Sequence, residues 1–193
     1  EEDGLLQLQQ NVTDQDVHLR SVDMQIPENG KVIMDRRFMV HRSHNYYNGR
    51  NTIRLNGDSN SFIQIDYIYT YYYDDSYHDD PKTGIYLITK LEGELSEVRL
   101  CDLSFDTWLT EYVEVDFTAG TLSYIMDTLV ATVTIPGLAE QTVNYYNVEY
   151  GPYGWWTGHY HYMDYVNINV TNEHEYVDLG LPSGTLWATC NVG

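Results

Sequence analysis

Positive charge is what this chain has least of: 10 Lys and Arg stand against 29 Asp and Glu in 193 residues, a formal net charge of -19. Phosphate backbones are held by clustered cations, so this balance excludes nucleic acid as a partner class and leaves cationic partners, metal ions and neutral glycans. Cysteine is nearly absent. Cys101 and Cys190 lie in unrelated segments and read as two free or buried thiols. No stretch reaches the roughly 18 to 20 consecutive apolar residues of a membrane helix, so no membrane span is expected. Catalytic signatures are missing too: there is no Gly-x-Ser-x-Gly elbow, His-Glu-x-x-His, phosphate-cradling loop or dinucleotide fingerprint. A glycosidase needs two opposed carboxylates, but 29 acidic residues would satisfy such a search by chance, and the chain reads as non-catalytic. It opens at Glu1 with no basic and apolar leader, which leads us to expect that a signal or lipoprotein leader has been removed.

What is present is material for a folded β domain. With 42% hydrophobic and 14% aromatic residues the chain can bury a core, and its 19 tyrosines prefer strands while offering a flat ring with a hydroxyl. Phe62 to Tyr73 alternates, with Ile63, Ile65, Tyr67, Tyr69, Tyr71 and Tyr73 on the expected core face and Gln64, Asp66 and Thr70 on the other. Val166, Ile168 and Val170 alternate with Tyr165, Asn167 and Asn169 in the same way. Further strands are expected at Asp16 to Ile26, Lys31 to Val40, Gly84 to Leu91, Val98 to Phe105, Tyr112 to Phe117, Val130 to Ile135 and Thr142 to Tyr150. Turn signals at Glu28-Asn29-Gly30, Asn56-Gly57-Asp58, Thr118-Ala119-Gly120 and Pro136-Gly137 separate them. The pattern predicts an all-β antiparallel sandwich, or a β-barrel, with little helix. The best helical candidate is a turn or two at Asp106 to Tyr112 with Asp106 as N-cap, and the same residues also suit an edge strand.

Three constellations carry possible chemistry. In Gly151 to Tyr165, GPYGWWTGHYHYMDY, adjacent Trp155 and Trp156 on a strand point to opposite faces. An exposed indole with Tyr153, Tyr160 and Tyr162 nearby would stack on the apolar face of a sugar ring; alternatively these aromatics fill the sandwich interior. His159 and His161, two apart, share a strand face and could jointly hold a metal ion or simply form an exposed polar face, and Asp164 falls on the opposite face unless a bulge intervenes. The acidic run at 74–80, with Asp74, Asp75, Asp79 and Asp80, would suit calcium, although it lacks the EF-hand spacing and solvated acidic loops are common.

The C-terminal stretch reads Val177-Asp178-Leu179-Gly180-Leu181-Pro182-Ser183-Gly184, then Leu186-Trp187-Ala188-Thr189-Cys190-Asn191-Val192-Gly193. It resembles the opening of the major paralogous domain of Fibrobacter succinogenes, a repeated domain of Bacteroidetes surface proteins. The resemblance implies a stub of that domain at residues 173–193, after an all-β domain at residues 1–172, and a cell-surface, outer-membrane-anchored or periplasmic setting. The reading that follows is a non-catalytic extracytoplasmic module binding glycan or another host or matrix polymer. The alternative is a stalk or subunit of an adhesin- or fimbria-like assembly, with the C-terminal strand offered to a neighbouring chain.

Overall fold

The structure is a computed structural model that describes residues 6–9, 19–24, 29–42, 49–58, 60–69, 83–140, 145–153, 159–172, 176–178 and 186–188. Its strands, in chain order, are β1 (Leu6–Gln9), β2 (Leu19–Arg20), β3 (Gly30–Arg42), β4 (Gly49–Asn56), β5 (Phe62–Tyr69), β6 (Gly84–Leu91) and β7 (Glu94–Cys101). They continue with β8 (Leu109–Asp116), β9 (Thr121–Met126), β10 (Leu129–Thr134), β11 (Asn147–Tyr153), β12 (His159–Asn172), β13 (Tyr176–Asp178) and β14 (Leu186–Ala188). One six-stranded antiparallel sheet runs β1-β12-β3-β8-β9-β10, and the second runs β2-β11-β4-β5-β6-β7. Neither sheet closes on itself, and the architecture is a β-sandwich. β13 and β14 pair with each other.

Period-two alternation builds the core between the sheets. Val32, Met34, Phe38 and Val40 of β3 and Val113 and Val115 of β8 face Ile53, Leu55, Ile63, Ile65 and Leu87 of the second sheet, all buried. The expected core face of β5 is therefore present at Ile63, Ile65 and Tyr67. No helix occurs among the described residues, so the helical candidate at Asp106 to Tyr112 is corrected: β8 begins at Leu109 and lies between β3 and β9. Asp106 takes φ 54°, outside the extended backbone usual for an N-cap, while Leu109, Glu111 and Val113 enter the interior at strand period. The strands β1, β4 and β9 were not anticipated.

One irregularity decides which side chains of β12 face inward. Met163 pairs with Phe38 and Tyr165 with Arg37, leaving Asp164 as an extra residue. Before it, His161 and Met163 point inward; after it, Val166, Ile168 and Val170 do, and Asp164 and Tyr165 are both exposed. Asp164 thus lies on the face opposite His161, as parity places it, and the bulge changes the phase only of the residues that follow.

The two ends of the sandwich differ. At one end the Glu92-Gly93 hairpin takes φ 50° and 95° and Gly120 takes φ 66°, while the Asp127-Thr128 hairpin, with Asp127 at φ 50°, lies at the other. At the other end, register groups Arg42 with His159, Gly49 with Tyr69, Arg50 with Tyr153 and Ile68 with Gly84. The connections 43–48, 70–82 and 154–158 join these strand ends.

Candidate functional site

The outward face of the second sheet carries a polar arrangement on β4 and β5. Thr52 is opposite Asp66 and Arg54 opposite Gln64 in the β4–β5 ladder. The three neutral or acidic members are withdrawn from solvent, with exposures of 1% for Thr52, 7% for Gln64 and 0% for Asp66. A buried carboxylate needs donors, and these neighbours supply them. Asp66 Oδ1 accepts hydrogen bonds from Thr52 Oγ1 at 2.9 Å and Gln64 Nε2 at 2.7 Å, while Oδ2 takes Arg50 Nη1 at 3.4 Å. Arg50 itself is 44% exposed, so a buried anion orients a cation that reaches solvent. Sequence alternation placed Gln64 and Asp66 away from the apolar core, but it could not reveal that this second face is also buried.

A second polar cluster lies between the sheets. Arg36 Nε donates to Glu111 Oε2 at 2.6 Å, and the hydroxyls of Tyr67 and Tyr124 donate to Glu111 Oε1, the latter at 2.7 Å. Arg36 also stacks on Phe38 at 3.9 Å and lies 4.8 Å from the Tyr67 ring centroid. Burial opposes its charge, but Glu111, Tyr67 and Tyr150 outweigh that and hold the guanidinium above its ordinary pKa. Burial raises the Tyr67 and Tyr124 hydroxyls well above their usual range, with Glu111 adding to the effect. With Arg36 and Glu111 each 1% exposed, the cluster meets no polymer and serves to organise the core.

His161 belongs to that interior cluster. Its Nε2 is 3.1 Å from Arg36 Nη1, and arginine can only donate, so Nε2 accepts and the neutral ring carries its proton on Nδ1. Burial, then the nearby Arg36 charge, hold its pKa well below 6.5. The exposed polar face expected for His161 with Asn167 and Asn169 is corrected by the Asp164 bulge: His161 is 0% exposed and packs edge-on against Phe38. His159 is placed by register opposite Arg42. Among the described residues no three His, Cys, Asp or Glu side chains could jointly hold a metal ion. Asp74, Asp75, Asp79 and Asp80 lie outside the described residues, as do Trp155 and Trp156.

The remaining residues of the aromatic run divide between the sheets. Tyr153 ends β11 in register with Arg50, beside the Asp66 arrangement. Tyr160 and Tyr162 belong to β12 of the first sheet, opposite His41 and Met39. Tyr153 and Tyr162 are therefore not brought onto one sheet. Arg50, Thr52, Gln64 and Asp66, which the structure does bring together, were missed as a group because they come from two strands and β4 was not foreseen. Cys101 is free and half-buried; burial, then Glu111, push its thiol up to about 11. No helix of the described residues is long and apolar enough to cross a membrane.

No family model and no curated protein matches the sequence. Solved structures do match in shape. A lectin from Bauhinia forficata in complex with GalNAc gives a TM-score of 0.55 at 10% identity, covering 89% of this chain and 94% of that one. The CBM2 module of the Lactobacillus casei BL23 phage J-1 evolved Dit gives 0.55 at 11% identity, covering 91% and 93%. A variant of alginate lyase A1-II′ gives 0.54 at 10% identity, covering 76% of this chain and 64% of that one. At such identities the likeness shows a common β-sandwich fold.

Proposed function

We propose that this chain is a non-catalytic glycan-binding module of a bacterial surface protein, working outside the cytoplasm. The observation that carries the reading is the outward face of the second sheet, where buried Asp66, held by Thr52 and Gln64, fixes a solvent-reaching Arg50 beside the end of β11. A fixed guanidinium presents hydrogen-bond donors to sugar oxygens at low entropic cost. From β11 the chain runs directly into Trp155 and Trp156, whose indoles suit the apolar face of a sugar ring. In this reading Tyr153, Trp155 and Trp156 contact the ligand together with Arg50, and Asp66 is a positioning residue. Tyr160 and Tyr162, on the other sheet, stand apart from it. A glycan-binding lectin and a carbohydrate-binding module with the same fold support the choice of ligand class.

A second reading has its own observation. β7 is the edge of the second sheet, Glu94 to Arg99 are all exposed, and Leu95 is 69% exposed, which suits strand addition by a neighbouring subunit. A glycan-array screen of the parent chain and a folded Trp155→Ala, Trp156→Ala variant separates the two. The module reading expects saturable binding that the variant loses, with no shortening of the bound polymer. A blank array together with concentration-dependent self-association would instead favour the assembly reading.

A further inference from the structure

The chain's few cations are not spread evenly. Arg20, Arg50, Arg54, Lys90 and Arg99, half of its 10 Lys and Arg, project from the outward face of the second sheet, as their register partners show. Against them that face sets three strand carboxylates, Glu149, Glu97 and the buried Asp66. With Asp23 and Asp102, which pair with Arg20 and Arg99, five carboxylates meet these five cations, so in a chain of net charge -19 this face is locally balanced. Three of the cations are engaged by carboxylates: Arg20 with Asp23 and Glu149, Arg50 with Asp66, and Arg99 with Asp102. Arg54 and Lys90 make no ion pair among the described residues. They flank one aromatic ring. Arg54 Cζ stands 4.0 Å above the Phe62 centroid, and Lys90 is the direct cross-strand partner of Phe62. Arg54 Nε is buried with no hydrogen-bond partner.

We propose that this face takes an acidic polysaccharide, with Arg54, held against the Phe62 ring, and Lys90 on its far side meeting the anionic groups. The proposal rests on the glycan-module reading and narrows its ligand class. It also departs from the expectation of neutral glycans drawn from net charge, because two cations without an ion pair among the described residues act locally over a Debye length of about 8 to 10 Å. Carboxylate and sulfate esters share the required chemistry, and guanidinium binds both through paired N–H groups.

The test is titration calorimetry of the intact chain with polygalacturonate, dextran sulfate and unmodified dextran at low and high salt. The expected result is binding of one or both anionic polymers, weakened by salt and by at least about fivefold in an Arg54→Gln, Lys90→Gln variant, with Arg37→Gln on the opposite sheet neutral. Whichever polymer binds identifies carboxylate or sulfate. Should the double variant fail to fold, Lys90→Glu at a partly exposed position carries the same expectation. Anionic binding unchanged in these variants, or binding of unmodified dextran alone, overturns the acidic-glycan proposal and leaves the module reading standing. Absence of binding to all three polymers and to the glycan array overturns both.

Discussion

At the scale of single residues, Arg36 and Glu111 define how the interior tolerates charge. Their attraction and the tyrosine hydroxyls offset the cost of burial only while both partners remain. Arg36→Met leaves Glu111 buried with one fewer donor and is expected to cost about 3 to 5 kcal/mol in urea unfolding, whereas Arg36→Met with Glu111→Leu costs much less. His161 adds a pH dependence. Because its folded pKa lies well below 6.5, the folded chain binds fewer protons there than the unfolded chain. Its contribution is fully present above about pH 6.5 and is lost as pH falls through the window beneath, at up to about 1.4 kcal/mol per pH unit. His161→Gln keeps an acceptor for Arg36 without titrating, so its urea midpoint should fall less between pH 7 and pH 5 than that of the parent. An equal fall in both proteins would contradict this assignment. The burial of His161 was not legible beforehand, because the bulge that turns it inward is made by Asp164, a residue that carries no turn signature.

At the scale of elements, β12 makes a distinctive prediction. Asp164 is an extra residue between two stretches that are each in phase with β3, so deleting it restores a regular ladder and removes one exposed ion pair with Arg37 at 2.8 Å. The expected loss is within about 1 kcal/mol. Deleting Asn167 instead moves Ile168 and Val170 to the solvent face and turns Asn169 inward, which should cost more than about 3 kcal/mol. Urea unfolding of the two deletions measures the contrast, and equal losses would contradict the bulge. Strands with one apolar face, such as β6 and the start of β5, were readable from alternation. β4 was not: Asn51 and Thr52 look like loop residues, yet they are 0% and 1% exposed in a strand paired with β5 on one side and β11 on the other. The edge strand β7 was only partly anticipated, since its exposed Glu94 to Val98 provide no core alternation.

At the scale of the molecule, strand alternation and turn signals identified an all-β sandwich, whereas net charge does not report how charge is placed between its faces. A sum over the chain cannot register that five cations share one face. Two sheets give two outward surfaces, and only the second combines a fixed Arg50, a cation-flanked Phe62 and continuity with the tryptophan run. In the first sheet Lys31 is held by Glu114 at 3.2 Å and Asp116 at 3.0 Å, and Arg37 by Asp164, so its outward cations are neutralised. The most direct measurement is amide chemical-shift mapping of the isotope-labelled chain during titration with polygalacturonate or sulfated oligosaccharides. The account predicts saturable shifts concentrated on β4, β5 and β6, at Thr52, Arg54, Gln64 and Asp66 among them, with β8 and β9 still. Shifts confined to the first sheet, or none at saturating ligand, would contradict it.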